Sequence, residues 1–262
     1  MKSCVLLAGL GAEGETTVNE PEISRDHTER MLEYLGAKIE REGTKVKISQ
    51  SELTARDLTI VGDISSAAFF LIMGAIVPNS EIVIKNVGLN PTRTGILDVM
   101  QNMGADIEIL NETLICNEPV GDIRIKYSEN LCGAEISGDI IPRLIDELPA
   151  IAVLAACAKG KTIVKDAGDL RNKESDRIKA VVCEMQKMGA KIEETEDGFI
   201  IEGGKMQGGC EVEVYHDHRL AMSWFLAGLV SEKPVKINGF EWANTSFPEF
   251  LPLFNSLVSY SQ

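Results

Sequence analysis

Residues 97–108 read LDVMQNMGADIE, and closely similar stretches occupy residues 182–193 (VCEMQKMGAKIE) and residues 30–40 (RMLEYLGAKIE). In each stretch the apolar residues recur at spacings of three and four, which predicts an amphipathic helix. The glycine that follows is expected to end the helix, because glycine readily adopts the left-handed conformation needed there. The alternating residues after the glycine predict a strand. The three stretches therefore predict one repeated helix–strand element.

A second repeated element lies between these stretches and consists of a strongly apolar helix followed by a short strand. Its four copies begin near Lys2, Asp63, Asp146 and Asp217. Together the two elements predict a unit of helix, strand, loop, helix, strand and strand, repeated roughly every 70 to 85 residues. That period exceeds those of solenoid repeats, so we expect α/β subdomains packed around shared helices.

The two ends of the chain depart from this unit. The first unit lacks a leading strand, and the fourth reaches its second helix, at residues 247–259, without final strands. Unpaired strand edges are normally covered in proteins. We therefore expect partners for these edges to lie outside the chain.

Composition excludes several classes of protein. The chain of 262 residues is 44% hydrophobic and 25% charged, which is typical of a globular protein rather than a collagen-like or disordered one. Its net charge of -14 opposes binding to nucleic acid. No apolar run approaches the ~20 residues of a membrane span.

The six cysteines form no C-x-x-C pair, and no histidine lies at ligand spacing from one, which disfavours a metal site. Cys4, Cys157 and Cys183 lie in apolar stretches. We therefore expect small buried thiols in a cytoplasmic protein.

Polar side chains gather where helices are expected to begin. Asp63, Ser65, Ser66 and Asn90 fit ordinary N-capping. Arginine is less expected there, because its charge opposes the helix dipole. The arginines at such positions are Arg25, Arg93, Arg177 and Arg219. An anion bound between each arginine and the free N–H groups would offset this cost, so we expect an anion site. An exposed surface position is the alternative for Arg93.

The densest group of charges is LRNKESDR at residues 170–177. Lys173 and Arg177 are four residues apart, so they can meet one ligand at a helix start. Glu174 lies between them as a candidate proton carrier. The alternative is an exposed turn with charges paired four residues apart. The spacing alone does not decide between the two.

Five motifs, in order along the chain, resemble those of the 5-enolpyruvylshikimate-3-phosphate synthase family. They are SRDHTE at 24–29, NPTRTG at 90–95, IDELP at 145–149, KESDR at 173–177 and DHRLAM at 217–222. The resemblance covers the whole chain. It is closer than that to the UDP-N-acetylglucosamine enolpyruvyl transferases, which lack the Lys-Glu-Ser-Asp-Arg pattern.

The resemblance implies the enolpyruvyl transferase fold, an α/β (α+β) inside-out barrel of two domains, each with three βαβαββ-like units. Central helices point their N-termini at the cleft between the domains. In this chain the fold is expected to be incomplete. Residues 1–62 would be a remnant of the first, lower domain, and residues 63–262 would be most of the second, upper domain.

The family transfers the enolpyruvyl group of phosphoenolpyruvate to the 5-hydroxyl of shikimate 3-phosphate and releases phosphate, a step of aromatic amino acid biosynthesis. The resemblance implies that no metal or organic cofactor is needed. It also implies two small-molecule substrates, and neither a nucleic acid nor a membrane as a partner.

The resemblance carries catalytic roles to three residues. Asp146 matches the aspartate that accepts a proton and holds the shikimate hydroxyls. Lys173 matches the lysine that contacts shikimate 3-phosphate and moves protons. Glu174 matches the glutamate that protonates the methylene carbon of phosphoenolpyruvate.

The remaining matches concern substrate binding. Arg177 and Arg219 match the arginines that hold phosphoenolpyruvate, and His218 matches a histidine near them. Ser24 and Arg25 match contacts to shikimate 3-phosphate.

The chain also departs from the family pattern. Thr245 stands where many members have a lysine that contacts phosphoenolpyruvate. The family's Gly-Ser-Lys-Ser, Gly-Asn-x-Gly-Thr and Ser-Ala-Gln segments have no counterpart. We therefore interpret the chain as the C-terminal three-fifths of the enzyme, which needs the missing N-terminal segment and is inactive alone.

Two alternatives stay open. The first is a non-catalytic protein of the same fold that binds a phosphorylated ligand weakly or not at all. The second is a nucleic-acid-processing relative with similar repeats, which the net charge of -14 disfavours.

Overall fold

A computed structural model describes residues 1–258. The helices in this range are α1 (Lys2–Gly9), α2 (His27–Tyr34), α3 (Ile64–Ile76), α4 (Gly95–Asn102), α5 (Ile141–Leu144), α6 (Leu148–Cys157), α7 (Arg177–Lys187), α8 (His218–Val230) and α9 (Phe250–Leu257). The strands are β1 (Glu15–Asn19), β2 (Lys38–Glu42), β3 (Lys45–Ser49), β4 (Glu81–Gly88), β5 (Asp106–Ile115), β6 (Glu118–Lys126), β7 (Glu135–Ile136), β8 (Lys161–Val164), β9 (Lys191–Glu194), β10 (Phe199–Glu202), β11 (Glu211–Glu213) and β12 (Lys236–Asn238). Short 3-10 turns span Gly138–Ile140, Ile145–Glu147, Gly168–Asn172 and Phe240–Thr245.

The repeated unit predicted from the sequence is confirmed. The first unit runs α1, β1, α2, β2, β3, and the second and third follow the same order as α3, β4, α4, β5, β6 and α6, β8, α7, β9, β10. The glycines predicted to end α2, α4 and α7 do so, since Gly36, Gly104 and Gly189 have φ angles of 99°, 88° and 88°. The alanine after each glycine donates its backbone N–H to the carbonyl oxygen of the residue five positions before that alanine, at 2.9 Å in all three cases. This is the Schellman arrangement, which satisfies the last carbonyl groups of a helix.

Each unit builds its own sheet. The strand orders are β1-β3-β2, β4-β6-β5, β7-β8-β10-β9 and β11-β12. The leading strands β7 and β11 run parallel to β8 and β12, and Gly62 makes a single parallel bridge to Val87 in β4. Within residues 1–258, the paired partner of β1 is β3, and the fourth unit contributes only β11 and β12.

Three apolar helices, α3, α6 and α8, pack against one another at the centre of the larger part of the molecule. Nearly every residue of α3 and α6 is buried, because these helices are apolar on all sides and would expose apolar surface anywhere else. Gly74 allows close packing, since a Cβ there would lie 2.5 Å from Ile125 Cγ2. The polar groups just before these helices are thereby brought close together.

Two separate hydrophobic cores are present. A small one joins Leu6, Leu32, Ala37, Val46 and Ile48 in the first unit, and a large one extends from the start of α3 to α9. The predicted domain border at 62/63 lies between them, and it stays a prediction. The C-terminal residues 259–262 of the predicted upper domain lie outside the described range, as does the predicted end of the last helix at residue 259.

The thiols are more exposed than predicted. All six cysteines are unpaired, and Cys4 is exposed, so the expectation of burial is wrong for this residue. Helix α1 buries the face that carries Lys2, Leu6 and Gly9, and Cys4 lies away from that face. Cys157 and Cys183 are half-buried. In residues 1–258, no helix combines the length and apolar character needed to cross a membrane.

Candidate active site

Asp146 is surrounded by cations from three units. It lies in the 3-10 turn that leads into α6, and its Oδ2 accepts a hydrogen bond from Arg25 Nη2 at 2.8 Å. Its Oδ1 lies 3.2 Å from Lys173 Nζ and 3.4 Å from Arg177 Nη1. Its backbone oxygen accepts a hydrogen bond from Arg219 Nη1 at 3.3 Å. Five predicted site residues therefore meet at one point.

The cations control the ionisation of Asp146. Burial alone would raise the pKa of this carboxyl, but the charges of Arg219, Arg25 and Lys173 outweigh burial and hold the pKa well below its usual range. Asp146 is not an N-cap, since Glu147 precedes α6 in that position. The carboxylate is therefore ionised at neutral pH and is a weak base while these cations contact it.

Arg177 and Asp217 form a buried pair between the third and fourth units. The side chain of Arg177 is 1% exposed and that of Asp217 is 0% exposed. Arg177 donates from Nε to Oδ2 at 2.8 Å and from Nη2 to Oδ1 at 3.2 Å. Asp217 also accepts from Ser175 Oγ at 3.0 Å and from the backbone N–H of Arg219 at 2.9 Å. Burial would raise the pKa of Asp217, but the bonds to Arg177 outweigh it and lower the pKa.

The sequence KESDR does not form the exposed i, i+4 turn considered as an alternative. Arg177 is buried, and Glu174 Oε2 accepts from its Nη2 at 2.6 Å, across three residues. Lys173 and Arg177 do meet one group, as predicted, but that group is the Asp146 carboxylate. Glu174 is half-exposed, so it is accessible from the solvent side.

Carboxylates already pair with all four helix-start arginines. Arg93 Nη2 lies 3.0 Å from Asp63 Oδ1, and Arg219 Nη1 lies 3.6 Å from Glu147 Oε1. Only 15% of the Arg93 side chain is exposed, so it is not a solvated surface arginine. An external anion is thus not required to explain the positions of these arginines, and the anion site stays a prediction.

The N-cap predictions hold for one residue. The side chain of Asp63 accepts the backbone N–H of Ser66 at 3.2 Å. Ser65 instead points inward and donates to Glu147 Oε1 at 2.5 Å. Asn90 lies five residues before α4, where its Oδ1 accepts from the backbone N–H of Thr92 at 2.9 Å. Ser66 is not the cap either, since its hydroxyl donates to Asp63 Oδ2 at 3.3 Å. The predictions for Ser65 and Asn90 are wrong because each has a buried or local partner that competes with the helix end.

Glu147 is a site residue that the sequence analysis missed. It is 3% exposed and lies between Ser65 and Arg219. Burial raises the pKa of Glu147, and the nearby Ser65, Arg219 and Arg93 only partly offset this. Two adjacent carboxyl groups with opposite pKa shifts therefore stand at the start of α6. The pair Asp146-Glu147 was visible in the sequence, but its unequal burial was not.

A cleft of about 1040 Å³ opens beside the Asp146 cluster. Ser24, Arg25 and Lys173 are among the residues that line it. Lys2, also missed by the sequence analysis, lies with Nζ 2.8 Å from Glu20 Oε2 and 3.4 Å from the backbone oxygen of Ser24. The hydroxyl of Ser24 donates to Glu20. Lys2 therefore fixes the loop that carries Ser24 and Arg25.

His218 and Thr245 lie at the edge of this arrangement. His218 is the first residue of α8, and burial, together with the charge of Arg219, lowers its pKa. Thr245 is exposed at the end of a 3-10 turn. None of the contacts described for residues 1–258 joins Thr245 to Asp146.

The α/β fold of this chain is shared with a solved enolpyruvyl transferase. The enolpyruvyl transferase NikO from Streptomyces tendae superposes with a TM-score of 0.77 at 19% identity, covering 96% of this chain and 57% of that chain. At this identity the likeness concerns the fold alone.

A family model described as EPSP synthase (3-phosphoshikimate 1-carboxyvinyltransferase) matches residues 1–254, and the chain belongs to this family. The 3-phosphoshikimate 1-carboxyvinyltransferase of Petrotoga mobilis is 52% identical over 262 residues, which are 99% of this chain and 60% of the relative. The EPSP synthase from Acinetobacter baumannii superposes with a TM-score of 0.92 at 44% identity, covering 100% of this chain and 61% of that chain. The chain thus spans about 60% of the length of the relatives that it matches.

Proposed function

We propose that these residues form part of the active site of an enzyme that transfers the enolpyruvyl group of phosphoenolpyruvate to the 5-hydroxyl of shikimate 3-phosphate. Phosphate is the second product. The observation that carries this proposal is the convergence of Arg25, Lys173 and Arg177 on Asp146 beside the cleft. Family membership supports the same reaction.

Both substrates are anions, and the site offers fixed cations for them. Arg177 and Arg219 are assigned to the phosphate and carboxylate groups of phosphoenolpyruvate, which suit the planar guanidinium fork, with His218 beside them. Because Arg177 is buried under carboxylates, phosphoenolpyruvate must replace Glu174 or Asp146 as its partner.

Shikimate 3-phosphate is assigned to the cleft. Ser24 and Arg25 offer a hydroxyl and a guanidinium there, and Lys173 also lines it. Once a phosphate group takes Arg25 from Asp146, the pKa of Asp146 rises and the carboxylate becomes a better base. It then accepts the proton of the 5-hydroxyl.

Glu174 is assigned the opposite role. It gives a proton to the methylene carbon of phosphoenolpyruvate, which leaves the adjacent carbon electron-poor, and the 5-hydroxyl oxygen attacks that carbon. Loss of a proton from the new methyl group and departure of phosphate restore the double bond. Lys173, beside Asp146, carries protons between these steps.

We also propose that residues 1–262 do not catalyse this reaction alone, and that the protein acts in the cytoplasm. Catalytic groups act as a unit, and the chain spans about 60% of its relatives. The unpaired thiols are compatible with a reducing compartment.

A reconstitution experiment tests the proposal. Purified residues 1–262 are incubated with both substrates, alone and together with the part of the Petrotoga mobilis relative that this chain does not span. We expect phosphate release only in the mixture, and loss of this release when Lys173→Met replaces the wild-type chain. Release by residues 1–262 alone would contradict the requirement for a further segment.

The runner-up is a non-catalytic protein of the same fold. It predicts no release in any mixture, even when calorimetry shows that phosphoenolpyruvate binds. That combination would overturn the catalytic proposal.

A further inference from the structure

The turn between β11 and α8 has an unusual backbone. The N–H of Asp217 donates to the carbonyl oxygen of Val214 at 2.8 Å and closes a four-residue turn. Its central residues, Tyr215 and His216, have φ angles of 52° and 60°. Left-handed conformations at both central positions are those of a type I′ turn, which normally carries asparagine, aspartate or glycine. Side chains as large as these adopt this conformation only at a cost in free energy.

Comparison with the rest of the described chain sets this turn apart. Of the eight non-glycine residues at positive φ, five are asparagine or aspartate. The other consecutive pair, Cys116 and Asn117, joins β5 to β6 in a two-residue hairpin, where a type I′ turn matches the twist of the strands. Tyr215 and His216 connect a strand to a helix, so no hairpin requires their conformation.

Two contacts outside the turn hold it in place. The hydroxyl of Tyr215 donates to Glu184 Oε1 at 2.6 Å, and Glu184 is fully buried on α7. The ring of His216 packs edge-on against that of Trp242, with centroids 4.8 Å apart. A backbone conformation that costs free energy persists only when surrounding contacts hold it, and such conformations are typical of functional sites.

The last residue of the turn is Asp217. Its carboxylate holds Arg177 by two hydrogen bonds and accepts the backbone N–H of Arg219. The direction of this carboxylate therefore fixes the guanidinium of Arg177 and the backbone of Arg219, and these two arginines are assigned to phosphoenolpyruvate.

We propose that Tyr215 and His216 are positioning residues, which hold Asp217 and, through it, Arg177 and Arg219 in the geometry that binds phosphoenolpyruvate. This inference rests on the proposed function for its ligand, but the effect on Arg177 does not depend on any ligand. The turn acts through Asp217 and does not itself touch the substrate.

The first test observes Arg177 in residues 1–262 without substrate. The Nε–H group of Arg177, held by Asp217 at 2.8 Å, gives an NMR signal that Arg177→Lys identifies by its loss. Tyr215→Phe removes the anchor to Glu184, and His216→Gly frees the backbone and removes the contact with Trp242. We expect both changes to shift or broaden the Arg177 signal.

Two matched controls separate positioning from general stability. Tyr127→Phe changes a partly exposed tyrosine whose hydroxyl makes no hydrogen bond with residues 1–258, and Cys116→Gly frees the other left-handed pair. Both controls should leave the Arg177 signal in place. Unchanged signals in Tyr215→Phe and His216→Gly would overturn the inference.

The second test measures phosphoenolpyruvate binding by calorimetry. A displacement of about 1 Å at such groups weakens function by up to about 100-fold, so we expect at least tenfold weaker binding in Tyr215→Phe and His216→Gly. The melting temperature of His216→Gly should stay close to that of Cys116→Gly, because glycine relieves the left-handed conformation in both variants. A purely structural role predicts the reverse, a lower melting temperature with unchanged affinity.

The two proposals fail in different ways. If wild-type residues 1–262 bind no phosphoenolpyruvate, the assignment of the ligand loses its support while the Arg177 signal still tests the turn. If the wild type binds and both variants bind equally well, the turn has no positioning role and the proposed function stands.

Discussion

The two sides of the Asp146 cluster differ in how firmly they are held. On one side the side chain of Arg177 is 1% exposed and donates two hydrogen bonds to Asp217. Arg177 is also the first residue of α7, which packs into the main core. On the other side Arg25 is 43% exposed, and within residues 1–258 its one ion pair is with Asp146. The first side is therefore held by buried partners within the protein, whereas the second depends on one partly exposed ion pair.

This difference separates charged groups that keep their partners from charged groups that can exchange them. Buried charge pairs cannot be broken cheaply, because the remaining charge is left without solvent or partner. Exposed charges exchange partners at little cost. Glu174 and Lys173 are exposed enough to exchange partners, whereas Asp217 is not.

The largest effect is expected from Glu174→Gln in the reconstituted enzyme. General acid catalysis contributes about 10²–10⁴-fold, so kcat should fall by that factor while shikimate 3-phosphate binding changes little. Single-turnover phosphate release and calorimetry measure the two quantities. Weaker binding with normal turnover at saturation would instead mean that Glu174 only orients Arg177.

The next effect concerns stability and sharpens the contrast between the two arginines. Arg177→Leu leaves Asp217 buried without its partner and should lower the free energy of unfolding by about 3–5 kcal/mol. Arg25→Leu removes a partly exposed ion pair and should lower it by no more than about 1 kcal/mol. Urea unfolding of residues 1–262 measures both. Equal losses would show that the two sides are held alike.

A smaller effect is expected from Arg219→Ala, which lies between these extremes at 16% exposure. Loss of one charge-assisted contact of about 1.5–3 kcal/mol should weaken phosphoenolpyruvate binding about ten- to a hundredfold. Arg219→Lys keeps the charge and serves as the control. If Arg219→Ala binds phosphoenolpyruvate as the wild type does, Arg219 does not belong to its site.

The contrast also explains what could be predicted from the sequence. The repeated units followed from local patterns, since Gly36, Gly104 and Gly189 each end a helix by the same backbone geometry. The central helices followed from apolar composition. Both features depend on residues that are close together in the sequence, within one repeated unit.

The arrangement of the site could not be predicted in the same way. Asp146 contacts Arg25, which is 121 residues away, and Asp217 contacts Arg177 across 40 residues. These pairings depend on how the repeated units pack against one another, and the spacing of residues along the sequence does not indicate that packing. The family resemblance predicted a set of site residues, which the structure brings together around Asp146. It did not indicate the burial of Glu147 and Arg177 or the left-handed residues before Asp217.

The smallest effect is a pH dependence at the edge of the firmly held side. The pKa of His218 is lowered by burial and by the charge of Arg219, so the folded protein binds this proton less readily than the unfolded chain does. Stability linked to His218 is therefore fully present above the ordinary histidine pKa of about 6.5, and it is lost as the pH falls through the lowered folded value.

We expect the free energy of unfolding to decline as the pH is reduced below about 6.5, with a contribution from this one group of at most about 1.4 kcal/mol per pH unit. His218→Gln should reduce that slope while leaving stability near pH 7.5 almost unchanged. Urea unfolding at several pH values measures it, with Tyr127→Phe as a variant that should keep the wild-type slope. If His218→Gln also keeps the wild-type slope, other groups account for the decline. Protonation of the half-buried His218 at the start of α8 would then not destabilise the folded protein.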